Sequence, residues 1–443
     1  MKISRGGYKI HVRKAEDEDH TLEELYGQSE FANNKASTEE GSHDISSDID
    51  DFLDAENAND VDEVELKEKE SSKKARKKRE KRKKTERSIL KTIGIIILLL
   101  AIISGGTFVI LAFFTPSNNE EGTDFGYEAA ESDNIYYSPL TGLEVNDVNL
   151  LKTATTCVMI ENSPEARPQS GLSEAGIVYE AIAEGGITRF MAIYQEAKPE
   201  LIGPVRSVRL TYAEMAKPYK CSIAHVGGSH NALQLIRNNG QFRDIDQFFN
   251  ASYYWRAKTR PDGKRIYAPH DVYTDATHLD ALNFRKGFTE STFTGFARLD
   301  PDTILETSDL SATTINIKMS GALYNPVYTY DASTNSYKRA HASGGAHNSI
   351  LKDGSLVQNS PKVVVALKTS SVPRGDSYVD YKTIGSDDAF IFQNGTVIAA
   401  KWSRPDADSP LRLIDENGND IQLVRGQVWI SIYPSSSGSV SWN

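Results

Sequence analysis

The sequence predicts two folded domains behind a membrane anchor: an α/β domain over residues 136–295 and a mainly β domain over 308–443. A disordered cytosolic tail and a single transmembrane helix precede them. Three observations predict this arrangement. Charge is segregated along the chain rather than mixed. One run of 23 residues, 92–114, carries no ionisable side chain. The hydrophobic pattern mixes strand and helix periods before residue 295 and keeps only the strand period after 308.

Residues 1–66 hold 6 basic and 19 acidic side chains, are rich in Ser and Asn, and are poor in aromatics. Such a segment buries too little apolar area to offset chain entropy and is expected to be disordered. Residues 67–91 reverse the balance, with 14 basic and 4 acidic side chains. The apolar run TIGIIILLLAIISGGTFVILAFF follows at once. About 20 apolar residues span the ~30 Å hydrocarbon core, so this run is long enough. Its other flank has two Glu and no Lys or Arg up to Gly122. The positive-inside rule then places the N-terminus in the cytoplasm and residues 116–443 outside. The run begins too deep for an ordinary cleaved signal peptide and reads as a signal anchor. The basic segment is expected to rest on anionic inner-leaflet lipid, worth about 1 kcal/mol per basic residue near the surface.

Residues 115–135 are polar and form a stalk. The chain as a whole carries 50 basic and 61 acidic residues, a formal net charge of −11. The part beyond the membrane run is itself net acidic. This argues against a nucleic-acid-binding body, which needs a basic face.

In the first domain TATTCVMIEN, GIVYEAIAE and TRFMAIYQ read as strands, the last two separated by Gly185-Gly186. VRSVRLTYAEMAK reads as a helix opened by Gly203-Pro204. CSIAHVGG reads as a strand, and SHNALQLIRNNG as a helix with Ser229 as N-cap and Gly240 near its end. Beyond Ser308 the segments TTINIKM, VYTYDAS, SYKRAH, KVVVALK, SYVDYKTI, DAFIFQNGTVIAAKW and PLRLIDENGNDIQLVRGQVWISIY read as strands. Asn394-Gly395 and Asn417-Gly418 supply the turn signals of hairpins. Cys157 and Cys221 both fall in apolar, strand-like runs outside the membrane. A disulfide and two buried free thiols are equally compatible with that placement.

The blocks ENSPEARPQSGLSEAGIVYEAIAEGGITRFMAIYQ, IGPVRSVRLTY, AHVGGS and APHDVYT resemble the N-terminal domain of the YerB-like family, a domain of unknown function numbered 3048. The stretch from VVVALK through AFIFQNGTVIAAKWSRP to GQVWISIYP resembles that family's C-terminal domain. The resemblance covers roughly residues 138–440. It implies two domains and a secreted or membrane-attached bacterial protein, mostly Gram-positive; many members are lipoproteins. The chain departs from those members in its spanning helix and long tail. The resemblance supplies no catalytic residues.

The densest polar cluster runs from Glu161 to Ser229 and includes Asn162, Arg167, Glu180, Glu184, Arg189, Arg206, Arg209 and His225. On a helix Arg206 and Arg209 share a face and can grip a carboxylate or phosphate. Gly227-Gly228-Ser229 opens a helix whose free N–H groups favour anions. Asn162, Arg189, Arg206, Arg209, Gly227, Gly228 and Ser229 are therefore the expected ligand-binding set. The competing reading pairs the arginines with Glu180 and Glu184 as internal ion pairs. In a strand Glu180, Ile182 and Glu184 point to one face, which is how a glycan-cleaving site sets an acid against a base. Glu180 and Glu184, with His225 and His270, are the catalytic candidates. His270 stands next to Asp271, a candidate orienting acid. His341 and His347, with no acid nearby in sequence, read as loop residues. Tyr253, Tyr254 and Trp255, beside Arg256, could rim a saccharide site. No metal-ligand spacing and no cofactor motif is present, so neither is expected. The expected partner is a cell-wall polymer or an envelope protein, the alternative activity a wall-modifying hydrolase or lyase.

Overall fold

The structure, a computed structural model, describes residues 135–443 except 239, 304–310 and 376. The acidic tail, the basic segment, the apolar run and the stalk up to residue 134 lie outside the described residues. Among the described residues no helix is long and apolar enough to cross a membrane. They belong to one compact unit, Ser132–Asn443.

In chain order the unit contains strands β1 (Thr156–Glu161), β2 (Ile177–Glu184) and β3 (Ile187–Tyr194), helix α1 (Leu210–Ala216), β4 (Ser222–Ala224), α2 (His230–Asn238), β5 (Arg243–Asp244) and α3 (Ala276–Lys286). Then follow β6 (Thr314–Lys318), β7 (Pro326–Asp331), β8 (Ser336–His341), β9 (Val363–Thr369), β10 (Gly385–Gln393), β11 (Thr396–Arg404), β12 (Arg412–Ile414), β13 (Val428–Pro434) and β14 (Ser439–Trp442). The unit is mostly β with a few short helices.

Ten strands form one sheet in the order β12-β11-β10-β9-β13-β2-β3-β1-β4-β5. The sheet therefore runs through both sequence segments. Strand β13, from the end of the chain, lies parallel to β2 and pairs Ile430 with Tyr179 and Ser431 with Glu180. Its other edge lies parallel to β9.

Strict alternation explains why the sheet is central. Cys157 and Met159 of β1 enter one apolar cluster, Val158 and Ile160 the other. Val363, Val365 and Leu367 of β9 divide from Val364 and Ala366 in the same way. Both faces are buried, so these strands read as continuous apolar runs. The first face is covered by α1 and α2, through Tyr212, Ala213, Ala232 and Ile236. The second is covered by α3, through Leu279 and Leu282, and by the sheet β8-β7-β6-β14, through Ile315, Ile317, Tyr328 and Tyr337. All the strand pairings just described close within this unit, which has its own core. Those are the marks of a segment that folds by itself.

Three local expectations change. The helix expected from Val205 begins only at Leu210, and residues 205–209 are extended. Their N–H groups are taken by other strands: Val205 donates to Val272, Arg206 to Met159 and Val208 to Gly227. Tertiary pairing thus overrides the helical spacing of this β-branched stretch. The two cysteines form a disulfide between β1 and the start of β4. The hairpin β2–β3 turns through Gly185 and Gly186, both at positive φ, and carries a bulge between Ile182 and Glu184.

One buried network ties the two segments together. Arg339 of β8 and Glu180 of β2 are both fully buried and bonded through two contacts, 2.9 and 2.8 Å. The indole N–H of Trp429 donates to the same carboxylate at 3.2 Å, as does the hydroxyl of Thr188 at 3.1 Å. Beyond Arg339, His347 bonds to it and to Gln169. Removing one partner of a buried pair strands the other charge, at about 3–5 kcal/mol. Arg339→Met should therefore lower unfolding free energy by about that much in urea titration, where a loss below about 1 kcal/mol would show the pair to be incidental. Cys157→Ala with Cys221→Ala should cost about 2–4 kcal/mol in the same assay, with unchanged near-native spectra before the transition.

Candidate functional site

The residues expected to form one site fall into three separate places. The first lies at the end of β2. Glu180 and Glu184 do not share a face. Glu180 faces the second cluster, beside Trp429 and Phe190. The bulge shifts the alternation, and Glu184 meets Arg189, whose strand neighbours Met191 and Ile193 belong to the first cluster. Arg189 binds Glu184 at 2.9 Å and donates to the carbonyl of Ser207 at 2.8 Å. Arg209 also binds Glu184, through Nε at 2.7 Å and through Nη2, and stacks over Tyr378. Burial pushes the Glu184 carboxyl up, but Arg189 and then Arg209 outweigh it and hold it at about 2. A carboxyl so placed stays ionised near neutrality and is not set to donate a proton. Asn162 is fully buried and spans Thr188, Glu180 and Arg167.

The second place is the turn before α2. His225 is fully buried with both ring nitrogens bonded, Nδ1 to the Gly227 carbonyl at 2.7 Å and Nε2 to Asp244 at 3.0 Å. It has no nitrogen left for chemistry. Gly228 packs on Val208, where an added Cβ would lie 2.7 Å from a Val208 methyl carbon. The Ser229 N–H donates to Val208 and is occupied. Gly227, Gly228 and Ser229 thus make a packed corner against an extended strand, in place of the expected open anion cradle.

The third place gathers Glu161, Ser163, Arg206 and His270 at the surface. Glu161 ends β1, and its side chain is 5% exposed. His270 Nδ1 bonds Glu161 Oε2 at 2.9 Å, so the orienting acid comes from β1 and not from Asp271, which binds Arg256. Ser163 donates to Glu161 Oε1 at 3.1 Å. Arg206 approaches the same oxygen at 3.4 Å through Nε. The extended course of residues 205–209 is what parts the two arginines. Neighbours in a strand point to opposite sides, and three residues along, Arg209 turns to Glu184 while Arg206 turns to Glu161.

Two features make this surface patch available. The side chains of Arg206 and His270 are 25% and 22% exposed. Neither terminal nitrogen of Arg206, nor Nε2 of His270, bonds to any described residue. Arg167 and Tyr324 stand close by, the guanidinium over the ring, with Glu165 within electrostatic reach of both Tyr324 and His270. The bond from Glu161 is the main influence on His270; it outweighs burial and raises the imidazole above its ordinary value. Burial pushes Glu161 up, but His270 and Arg206 outweigh it, and the carboxyl is lowered. Ser163 and the Glu161–His270 pairing escaped sequence reasoning, because 109 residues separate the partners. The only local signal was a polar Glu-Asn-Ser ending an apolar strand.

The aromatic stretch is mostly engaged. Tyr254 is buried, Trp255 tilts against His278 at 5.6 Å, and Tyr253 lies under Arg285. His341 and His347 are buried beside Arg339, their rings 4.7 Å apart, not set in an open loop. Among the described residues no group of three His, Cys, Asp or Glu is placed to hold a metal ion.

The pair Glu161–His270 strengthens between two limits. The raised His270 contributes at low pH and loses its contribution as pH rises through its folded value; the lowered Glu161 contributes at higher pH and loses its share as pH falls through its own. NMR titration of His270 should show an imidazole above the ordinary histidine range, moving down in Glu161→Gln. An unmoved value in that variant would remove the carboxylate as its cause.

Comparison with known proteins accounts for the same two segments. Residues 140–289 match the family described as "Protein of unknown function (DUF3048) N-terminal domain", and residues 315–430 match its C-terminal domain. A protein of Bacillus subtilis (strain 168) described as "Putative lipoprotein YerB" is 29% identical over 309 residues, covering 67% of this chain and 86% of the relative. The crystal structure of YerB protein from Bacillus subtilis matches with a TM-score of 0.57 at 26% identity, over 69% of this chain and 99% of that one. With both domains matched in order along the chain, the protein belongs to the YerB-like family.

Proposed function

We propose that this is a single-pass, membrane-anchored cell-envelope protein whose outer unit binds an anionic group of a cell-wall component or envelope partner. The anchor is the apolar run 92–114, with the basic segment inside and Ser132–Asn443 outside. Three things support that placement. The relative from Bacillus subtilis is described as "Putative lipoprotein YerB". The Cys157–Cys221 disulfide suits an oxidising compartment. The charge asymmetry about the run suits an inward N-terminus.

The observation that carries the binding reading is Arg206. Its terminal nitrogens bond to no described residue, and its side chain is partly exposed on the surface that also carries His270. A guanidinium presents a planar fork that matches carboxylate or phosphate oxygens. An internal ion pair would engage that fork, as Arg189 and Arg209 are engaged by Glu184. Purified Ser132–Asn443 should pellet with purified Gram-positive cell walls, and Arg206→Ala should reduce the pelleted fraction at least tenfold. Equal pelleting of that variant would remove the patch from recognition.

A second reading is hydrolysis, and one observation favours it. His270 is held at Nδ1 by a nearly buried carboxylate, with Nε2 left open, the arrangement of an oriented general base. In this reading His270, oriented by Glu161, takes the acid–base role expected of Glu180 and Glu184. Wall fragments released into solution, and lost in His270→Gln, would support it. Pelleting without release would leave binding alone.

A further inference from the structure

The hairpin that leads into His270 carries charge that the fold does not use. Residues 256–265 contain five basic side chains, Arg256, Lys258, Arg260, Lys264 and Arg265, against one acid, Asp262. Two of the five are paired: Arg256 with Asp271 at 2.7 Å and Arg260 with Asp262 at 2.7 Å. The other three are exposed and form no ion pair among the described residues. Arg265 only stacks over the exposed ring of Tyr267, at 5.8 Å.

The hairpin is also held firmly. Ile266 donates to Lys258 at 3.1 Å and Arg260 to Lys264 at 2.9 Å, closing the two arms. Arg260 is 5% exposed, and its guanidinium donates to the carbonyl of Arg167. Arg167 is the residue that binds Asn162, the neighbour of Glu161. The arms are thus pinned to the loop after β1, through Arg167 and Asn162, beside Glu161 and Ser163. The hairpin then runs through Tyr267 into His270, whose N–H donates back to Tyr267. These three cations have no ion-pair partner among the described residues, though Lys264 acts on Asp262 from a distance, and they sit on an outer unit that is otherwise net acidic. A site for one small anion needs Arg206 and His270 alone. A site for a chain of repeating negative charge needs more cations beside them.

We propose that the hairpin 256–267 and the exposed Arg206–His270 patch together form one track for a linear polyanion, with Lys258, Lys264 and Arg265 holding successive anionic groups. This rests on the binding reading above for the patch and adds the hairpin as a second contact. Phosphodiester and polycarboxylate chains offer the same chemistry, and the two are separated by the probes.

The test uses Ser132–Asn443 with long-chain inorganic polyphosphate, poly-glutamate and orthophosphate, followed by calorimetry from 50 to 300 mM salt. Polyphosphate should bind with an affinity that falls steeply with salt. The triple variant Lys258→Ser, Lys264→Ser, Arg265→Ser should lose at least tenfold in affinity. By analogy with single-stranded polyanions, its log–log salt slope should flatten by about two. Orthophosphate binding should be unchanged in that variant and lost in Arg206→Ala. Preferred binding of poly-glutamate would assign the track to carboxylates. An unchanged polyphosphate affinity and salt slope in a triple variant that melts like the parent would overturn the proposal, as would no binding of either polymer by the parent. If the triple variant loses polymer binding while Arg206→Ala binds all three probes normally, the hairpin stands and the patch reading falls.

Discussion

The contact on which the architecture turns is the buried ion pair between Glu180 and Arg339. One partner comes from the first half of the chain and the other from the second, 159 residues apart. Both are fully excluded from water. A buried charge is tolerable when its partner and enough hydrogen bonds offset desolvation, and of the three Arg339 side-chain nitrogens only Nε lacks a partner among the described residues. Here Trp429, Thr188 and Asn162 complete the carboxylate, and His347 and Gln169 extend the chain of bonds. Trp429 sits on β13, the strand that enters the sheet beside β2. The pair can therefore form only when β13 has docked in register and β8 has folded across it. Such a network is weak evidence for stability and stronger evidence for a unique arrangement of the two segments.

The same constraint sorts the polar residues of the first segment. Glu180, Asn162, Arg189, Arg209 and His225 look in sequence like a reactive cluster. In the fold each is engaged by a partner: Glu180 and Asn162 inside the buried network, Arg189 and Arg209 on the partly exposed Glu184, and His225 on the partly exposed Asp244. The chemistry left over is what the core does not need: Arg206, His270 and the outward edge of Glu161. Both key positions follow from the strand-like course of residues 205–209. It costs the chain a turn of helix, and it sends Arg206 and Arg209 to different carboxylates.

Two kinds of carboxylate–cation contact thus stand side by side. Glu184 between two arginines is fully neutralised and inert. Glu161 holds one imidazole and part of one guanidinium, and leaves each with an open edge toward water. A ligand at this surface meets donors already oriented by Glu161, so little freedom is lost in ordering them. The hairpin at its side is likewise pinned by Arg260, while its remaining cations stay solvated and available.

Much of this protein was legible without coordinates. The strands with strict alternation, the Gly185-Gly186 and Asn394-Gly395 turns and the helix after Ser229 follow from local rules, because period two and turn chemistry are local properties. The charge segregation about the apolar run is likewise a property of composition, as is the family resemblance of its long motifs. What the sequence could not decide is every matter that depends on partners far apart. A bulge of one residue moved Glu184 to the opposite face from Glu180. Carbonyl acceptors on β1 and at Val272 took the N–H groups of an expected helix and made it extended. Parallel pairing of β1 with β4 brought Cys157 and Cys221 into bonding distance. Glu161 met His270, and Glu180 met Arg339, only because the sheet closed around them. Local propensity spans a few residues, whereas a side chain's charge is spent or spared according to neighbours that only the folded chain supplies.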